Sequence, residues 1–282
     1  MNDPSRVILV TGAASGIGRR LAEQLAAAGH RLLVTDINAE ALLALTAQHG
    51  WDPSRVAARS LDVRDAEAWR IAVSETVDRF GRLDVLLNVA GLVQPGYIYE
   101  VEPEEIARHL DVNARGVMLG TRAAALVMIG QGDGHIVNIA SMAALAAVPG
   151  IGLYTASKFA VRGFSLAVAQ ELRPHGVAVS VVCPDAVQTP MLDLQIDYPQ
   201  AALTFSGSRP LTVDEVAQAI IDRVLARRPL ELAIPRSRGW LAKLTSLAPQ
   251  FGQWVAPRLH QVGLRRQAEA LRRRREGNGH AG

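Results

Sequence analysis

The chain has 282 residues, of which 49% are hydrophobic and 20% are charged, and its formal net charge is +3. This composition excludes a disordered or collagen-like chain, and the length suits one large domain with appendages. The single cysteine, Cys183, excludes an internal disulfide and a cysteine-cluster metal site. The apolar run at 7–10 is short for a signal peptide, and no uninterrupted apolar stretch approaches the roughly 18 residues of a spanning helix. We therefore expect a cytoplasmic protein, attached at most to the inner face of a membrane.

Apolar runs alternate with amphipathic stretches along the chain. This pattern predicts an α/β fold with a Rossmann-type, doubly wound parallel sheet of about seven strands in the order 3-2-1-4-5-6-7, covered by helices on both faces. The predicted strands are 7–11, 31–35, 55–60, 83–88, 135–140, 177–183 and 230–234. The predicted helices are 16–28, 39–48, 66–79, 103–128, 154–173 and 213–226.

Two regions fall outside this alternation. Residues 188–210 form a long connection without a clear period, and we expect a functional loop there. Residues 237–282 form a C-terminal extension to a catalytic domain over 1–236, with Pro249 and Pro257 expected to break its helical pattern. The arginine-rich part from residue 265 onward is expected to be a solvated, frayed terminus. Alternatively, residues 237–275 contact a membrane surface, or the extension packs on its own domain or on another subunit.

The turn between the first strand and the first helix carries Gly12, Gly16 and Gly18. Such a loop lets a pyrophosphate approach the backbone at a helix N-terminus, although a turn without a ligand would show the same glycines. Asp36 follows Gly18 by 18 residues, close to the roughly 20 at which a carboxylate meets the adenosine ribose. The alternative is that Asp36 caps the next helix, although Asn38 could do so. Because a carboxylate repels a 2′-phosphate and positions 14 and 37 are not basic, NAD(H) is favoured over NADP(H).

These features resemble the short-chain dehydrogenase/reductase family in its shorter single-domain form, over roughly residues 5–235. Ser141 and Tyr154-x-x-x-Lys158 match its active-site motifs, and segments 62–63, 88–91 and 184–189 match its cofactor motifs. Val89 stands where the family usually has a second asparagine, and Asp185 replaces a glycine beside the nicotinamide site. The residues predicted to bind the cofactor are Gly12, Ser15, Gly16, Ile17, Gly18, Asp36, Asp62, Val63, Asn88, Ala90, Gly91, Tyr154, Lys158, Pro184, Val187 and Thr189.

Tyr154 and Lys158 are four residues apart and share one face of a helix. A free tyrosine, with a pKa of about 10, is a poor base at neutral pH, and we expect a lysine ammonium and a nicotinamide cation to lower that pKa. The phenolate would take the alcohol proton while hydride leaves for the cofactor. The resemblance implies that Ser141 holds the substrate oxygen, that Lys158 grips the nicotinamide ribose and that Asn113 holds a water linking Lys158 to solvent.

By the resemblance, segment 142–149 and loop 188–210 wall the substrate pocket. Their apolar residues favour a lipophilic alcohol or ketone, unless they simply close the core. The loop contributes Met191, Leu192, Leu194, Ile196, Tyr198, Leu203 and Phe205. The helix from residue 103 is apolar on several sides, and the resemblance implies a homodimer or homotetramer through this helix and the Tyr154 helix.

The sequence thus predicts an NAD(H)-dependent oxidoreductase that interconverts a secondary alcohol and a ketone. The alternative is a catalytically inactive, cofactor-binding regulatory protein with the same fold, for which Asp185 leaves room. No nucleic-acid partner is expected, because no recognised binding module accompanies the arginine tail. We predict no metal site, since His109, His135 and His175 lack ligand spacing, and we expect these histidines on the surface or in loops.

Overall fold

The computed structural model describes residues 5–279, with side chains up to residue 274. Seven parallel strands form one sheet in the order β3-β2-β1-β4-β5-β6-β7, which confirms the predicted fold. The strands are β1 (Val7–Thr11), β2 (Arg31–Asp36), β3 (Val56–Ser60), β4 (Val85–Asn88), β5 (Gly134–Ile139), β6 (Val177–Pro184) and β7 (Glu231–Ile234). The helices are α1 (Gly16–Ala27), α2 (Ala39–His49), α3 (Ala66–Phe80), α4 (Pro103–Leu110), α5 (Gly116–Gln131), α6 (Gly152–Leu172), α7 (Pro190–Gln195), α8 (Val213–Ala219), α9 (Arg236–Leu247) and α10 (Pro249–Gly279).

Helices cover both faces of the sheet, which is why strand β1 is buried throughout and apolar up to its last residue, Thr11. Because successive side chains of a strand point to opposite faces, Ile8 joins an apolar cluster with residues of α1 and α8. Leu9 joins a second cluster with residues of α3 and α5, including the fully buried Trp69. These two cores leave the carboxyl ends of the strands as the open edge, where ligands of doubly wound sheets bind.

The helical stretch Pro103–Gln131 crosses one face of the sheet. It runs from α4 through a π-helical turn, Asp111–Arg115, into α5. Among the described residues, this is the stretch long and apolar enough to cross a membrane by length and composition alone. Half of its most apolar window is buried inside the fold, as is usual for the core helix of a sheet protein.

The structure corrects the prediction for the C-terminal residues. Pro257 lies inside α10 and does not break it, whereas Pro249 begins that helix. Residues 265–279 are helical, and Gln267 is buried, so the frayed terminus expected there is wrong. Residues 280–282 of the predicted extension, and the side chain of Arg275, lie outside the described part of the chain.

The surface position expected for the histidines is wrong for His109 and His135, which are fully buried. One ring nitrogen of His109 accepts from the backbone N–H of Gln94 at 3.0 Å, and the other lies 2.7 Å from the backbone carbonyl of Glu105. His135 lies on β5, where its Nε2 is 2.9 Å from Ser180 Oγ, and burial lowers its pKa to about 3. Both rings are therefore polar core groups joined to neighbouring elements.

Candidate active site

The three glycines of the loop between β1 and α1 form a cradle with no room for side chains. A Cβ on Gly18 would lie 2.1 Å from the Gly12 carbonyl oxygen, and one on Gly12 would lie 2.9 Å from the Ala90 Cα. Gly12 and Gly16 also have positive φ angles of 68° and 52°, which favour glycine. Ser15, the exposed residue before α1, makes no side-chain cap. The loop thus leaves the start of α1 open to a phosphate group, as a dinucleotide requires.

Asp36 ends β2 beside this cradle. Its carboxylate accepts hydrogen bonds from the backbone N–H of Ala14 at 3.0 Å and of Asn38 at 2.9 Å. Asn38 itself caps α2, since its side chain accepts from the Ala41 N–H. Asp36 is therefore not needed as the cap and stands where a ribose would follow the pyrophosphate.

Asp62 and Val63 follow β3 at the same edge of the sheet. Arg64 binds the Asp62 carboxylate at 2.7 Å and lowers the pKa of Asp62. Val63 is buried, and a Cβ on Gly116 would come within 2.9 Å of its side chain. This segment follows β3 at the carboxyl edge of the sheet, but neither residue lines the cavity.

The loop after β6 forms the opposite wall. Thr189 comes so close to the glycine loop that a Cβ on Gly16 would lie 3.1 Å from its methyl group. Pro184, Val187 and Ile17 also line the cavity between the two loops. The structure therefore brings the predicted phosphate and nicotinamide segments together across one cleft.

Ser141, Tyr154 and Lys158 meet at the carboxyl ends of β5 and β6. Ser141 follows β5, and its hydroxyl lies beside the Tyr154 hydroxyl, close enough to lower the pKa of Tyr154. Lys158 lies one turn after Tyr154 on α6, with its Nζ 5.4 Å from the centre of the tyrosine ring. The ammonium donates to the Ile139 carbonyl at 2.9 Å, which fixes this nearly fully buried side chain.

The protein alone raises the pKa of Tyr154, whereas the lowering expected from the sequence includes the charge of a bound nicotinamide. Burial raises this pKa to about 12, although the Ser141 hydroxyl partly opposes that rise. Burial also lowers the pKa of Lys158 to about 8. In the protein alone Tyr154 is therefore a phenol that can donate a proton, and a positive charge from a bound cofactor is needed to make it a base.

Asn113 lies in the π-helical turn between α4 and α5, an irregularity that is frequent at functional sites. Its side chain binds both the N–H and the carbonyl of Leu92, at 2.8 and 2.9 Å, and donates to Ser157 Oγ at 3.0 Å. A Cβ on Gly91 would lie 3.2 Å from Asn113 Oδ1 and 3.5 Å from Lys158 Nζ. Asn113 therefore fixes the segment after β4 beside Lys158.

Asn88 ends β4 but does not line the cavity. Its amide donates to Asn138 Oδ1 at 2.9 Å, and the Asn138 amide donates to Ser165 Oγ at 3.0 Å. This buried polar chain joins β4, β5 and α6 beneath the site. No sequence signal pointed to Asn138 and Ser165, because their contacts depend on β5 lying beside β4 and on α6 packing against β5.

A cavity of about 780 Å³ extends from Tyr154 toward the C-terminal helices. Met191, Leu192 and Leu203 of the 188–210 segment line it, whereas Leu194 is exposed and Phe205 is buried in the core. The extension contributes a wall that the sequence did not predict. Its lining residues include Leu241, Ala242, Thr245, Pro249, Gln253, Val255, Ala256 and Leu259.

Asp185, which also lines the cavity, pairs with Arg238 of α9. Burial raises the pKa of Asp185, while the guanidinium lowers it. The charge that the sequence suggested near the substrate is therefore balanced by an arginine. Among the described residues, no three His, Cys, Asp or Glu side chains are grouped to hold a metal ion.

Comparison with known proteins agrees with this geometry. A family described as short chain dehydrogenase matches residues 6–197. The chain is 38% identical over 201 residues to 2-(R)-hydroxypropyl-CoM dehydrogenase of Xanthobacter autotrophicus, covering 70% of this chain and 80% of that protein. It is 40% identical over 188 residues to 3-alpha-(or 20-beta)-hydroxysteroid dehydrogenase of Mycobacterium bovis, covering 67% and 71%. A short chain dehydrogenase/reductase from Burkholderia phymatum, solved in complex with NAD, superposes with a TM-score of 0.79 at 27% identity, covering 89% and 96%.

Proposed function

The chain belongs to the short-chain dehydrogenase family of oxidoreductases, and from that premise we propose that it interconverts a lipophilic secondary alcohol and its ketone with NAD(H). The observation that carries the proposal is that the Ser141 and Tyr154 side chains lie beside each other in the lining of the cavity, with Lys158 one turn after Tyr154 on α6. Tyr154 can thus donate a proton, Ser141 offers a hydroxyl that can hold a substrate oxygen, and Lys158 supplies a positive charge beside them.

The protein residues transfer one proton to or from the substrate oxygen. A bound nicotinamide nucleotide supplies the hydride acceptor or donor. In ketone reduction Ser141 holds the carbonyl oxygen, and Tyr154, kept protonated by its raised pKa, gives its proton to that oxygen. In alcohol oxidation the Tyr154 oxygen, as the phenolate, takes the proton of the alcohol and becomes the phenol again, and the charge of Lys158 stabilises that phenolate.

The residues around the cleft fit NAD(H) better than NADP(H). Asp36 places a carboxylate beside the glycine cradle, where it would bind ribose hydroxyls and repel a 2′-phosphate. The exposed neighbour Ile37 offers no positive charge for such a phosphate. Gly12, Ser15, Gly16 and the start of α1 would hold the pyrophosphate.

The cavity supports a lipophilic substrate. Beyond Ser141 and Tyr154, its walls are mostly apolar and come from segment 142–149, the 188–210 segment and the extension. Its one ion pair with a carboxylate, Asp185–Arg238, is internally balanced. A hydroxy or keto compound with a bulky apolar body matches a site of this kind.

We further propose a catalytic domain over 1–236, an extension over 237–282, and assembly into a homodimer or homotetramer. Exposed apolar side chains on the two helices that the family resemblance assigns to the subunit contact support this assembly. They are Leu126 and Ile129 on α5 and Phe159 on α6.

A panel of hydrophobic secondary alcohols with NAD, and of the matching ketones with NADH, tests the proposed activity. We expect NADH formation or consumption with part of the panel. Tight NADH binding without turnover of any compound would instead favour the cofactor-binding regulatory protein.

A further inference from the structure

The outer side of the extension carries large apolar side chains that nothing in the described chain covers. On α9, Trp240, Leu244 and Leu247 are 69%, 55% and 82% exposed, and their spacing puts them on one face. Past the turn at Ala248, Phe251 and Trp254 of α10 are 43% and 62% exposed, with ring centroids 6.1 Å apart. We call these five residues the outer face.

Apart from Leu241, which lines the cavity, the side of α9 that contacts the protein is made of small or hydroxyl-bearing residues. Gly239 is buried against Ala233, and Ser246 Oγ donates to the Leu145 carbonyl at 2.6 Å. Ala242 packs at the edge of a core cluster. On the surface helix of a protein in water, the large apolar residues normally face the core. On α9 they face outward, so the usual amphipathic pattern is reversed.

Each tryptophan of the outer face carries a cation. Lys243 Nζ lies 5.6 Å from the centre of the Trp240 ring, and the Arg258 guanidinium lies 4.7 Å from that of Trp254. Tryptophan beside lysine or arginine is the combination enriched at the interface between lipid and water. Residues 236–274 contain nine basic residues and one acidic residue, Glu269. Three of the nine form ion pairs with carboxylates of the rest of the chain, and the other six still leave an excess of positive charge; the three pairs are Arg238–Asp185, Lys243–Glu231 and Arg274–Asp197. The surface is therefore complementary to a negatively charged lipid layer.

We propose that the outer face docks on an anionic lipid bilayer, with its apolar side chains in the interface and its arginines at the headgroups. The observations favour lipid over a second copy of the chain, because a copy would bring the same excess of positive charge to the contact. This proposal depends only on the outer face and its charge, and it does not depend on the proposed enzymatic activity.

A consequence for catalysis follows only if the proposed function is correct. Leu241, Pro249 and Gln253 of the same two helices line the cavity that Tyr154 also lines. A docked extension would place the cavity wall at the lipid, so that a lipophilic alcohol or ketone could enter from the membrane.

The test is co-sedimentation of the full-length protein with vesicles of phosphatidylcholine containing about one third phosphatidylglycerol, and with pure phosphatidylcholine. We expect about tenfold or stronger binding to the anionic vesicles, with a blue shift of tryptophan fluorescence. Leu247→Glu combined with Trp254→Glu should weaken that binding about tenfold or more. Leu43→Glu is the matched control, since Leu43 is 63% exposed on α2, at the other edge of the sheet.

Equal sedimentation of the wild type and the double variant would overturn the proposal, as would a wild type that does not sediment. If the wild type does not bind vesicles and the double variant forms a smaller oligomer than the wild type, the outer face is instead a contact with a second copy of the chain. NADH binding by each variant verifies its fold. Sedimentation requires no turnover, so vesicle binding can be tested even if the protein lacks the proposed enzymatic activity.

Discussion

Asp185 Oδ2 and Arg238 Nε lie 2.5 Å apart, so an ion pair joins the loop after β6 to the first turn of α9. Arg238 also reaches Ser206 Oγ at 3.4 Å, in the segment that α10 covers. Asp185 stands where the related family has glycine, and its partner lies 53 residues further along the chain. The substitution and the extension are therefore parts of one contact.

Arg238→Gln should destabilise the protein because it leaves a largely buried carboxyl without its cation. We expect a loss on the order of 1–3 kcal/mol at neutral pH. Burial already raises the pKa of Asp185, and losing Arg238 raises it further. A carboxyl with a raised folded-state pKa stabilises the fold below its unfolded pKa and loses that contribution as the pH rises through the folded value. Thermal unfolding should therefore show a larger deficit at neutral pH than near pH 4.

Arg70→Gln is the control for this variant, because its ion pair with Glu67 is exposed on both sides. Such pairs contribute at most about 1 kcal/mol. Equal deficits for the two variants, or a deficit at Arg238 that does not change with pH, would contradict the account.

The ionisation of Lys158 should set the alkaline limit of cofactor use. Its pKa is lowered to about 8, so its positive charge is present below that pH and is lost above it, while Tyr154 stays protonated up to about 12. We expect kcat/KM for NADH in ketone reduction to be level near neutrality and to fall above about pH 8, since this parameter reports groups of the free enzyme. Lys158→Met should remove that alkaline limb, and a limb that survives the substitution would assign it to another group.

Asp36 should decide between the two nicotinamide nucleotides. We expect the wild type to bind NADH about tenfold or more tightly than NADPH, because a carboxylate near a 2′-phosphate is repulsive. Asp36→Ala with Ile37→Arg should reverse that preference in a fluorescence titration. Glu40→Ala removes an exposed acidic residue of the first turn of α2 and should leave the ratio unchanged. A wild type that binds both nucleotides equally would refute the assigned role of Asp36.

The docking of α10 depends on a close approach at Gly263. A Cβ there would lie 2.0 Å from the Ala202 carbonyl oxygen, so Gly263→Ala should push the helix off segment 199–206. We expect faster amide exchange in α10 and a loss of stability on the order of 1–3 kcal/mol. Gly252→Ala, in the same helix, meets only ordinary contact at 3.5 Å from Thr245 and should be neutral or stabilising. Identical exchange in both variants would contradict the role assigned to Gly263.

The strands and the cleft were predictable because their signals are local. An apolar run such as Val7–Val10 places apolar side chains on both faces of its strand, and these are buried only when helices cover both faces of the sheet. Gly12 and Gly18 are required by the turn itself. Strand order then follows from the right-handed crossover rule. Tyr154 and Lys158 lie on one helical turn, so their proximity is also a local property.

The features that sequence reasoning missed depend on contacts between distant segments. Pro257 lies within a helix that packs on segment 199–206, and this packing overrides the helix-breaking tendency of proline. His135 is buried because Ser180 of the neighbouring strand offers it a hydrogen-bond partner. The raised pKa of Tyr154 in the protein alone also could not be predicted, because it comes from burial among segments that are distant in the sequence.

The most direct test of the central claim is the rate of Tyr154→Phe with a ketone that the wild type reduces. The phenol is proposed to carry the only proton that reaches the substrate oxygen, while Ser141 and the glycine cradle remain in place. We expect turnover to fall about 10²- to 10⁴-fold with the dissociation constant for NADH changed less than about threefold. A variant that retains wild-type turnover would show that another group supplies the proton and would contradict the account.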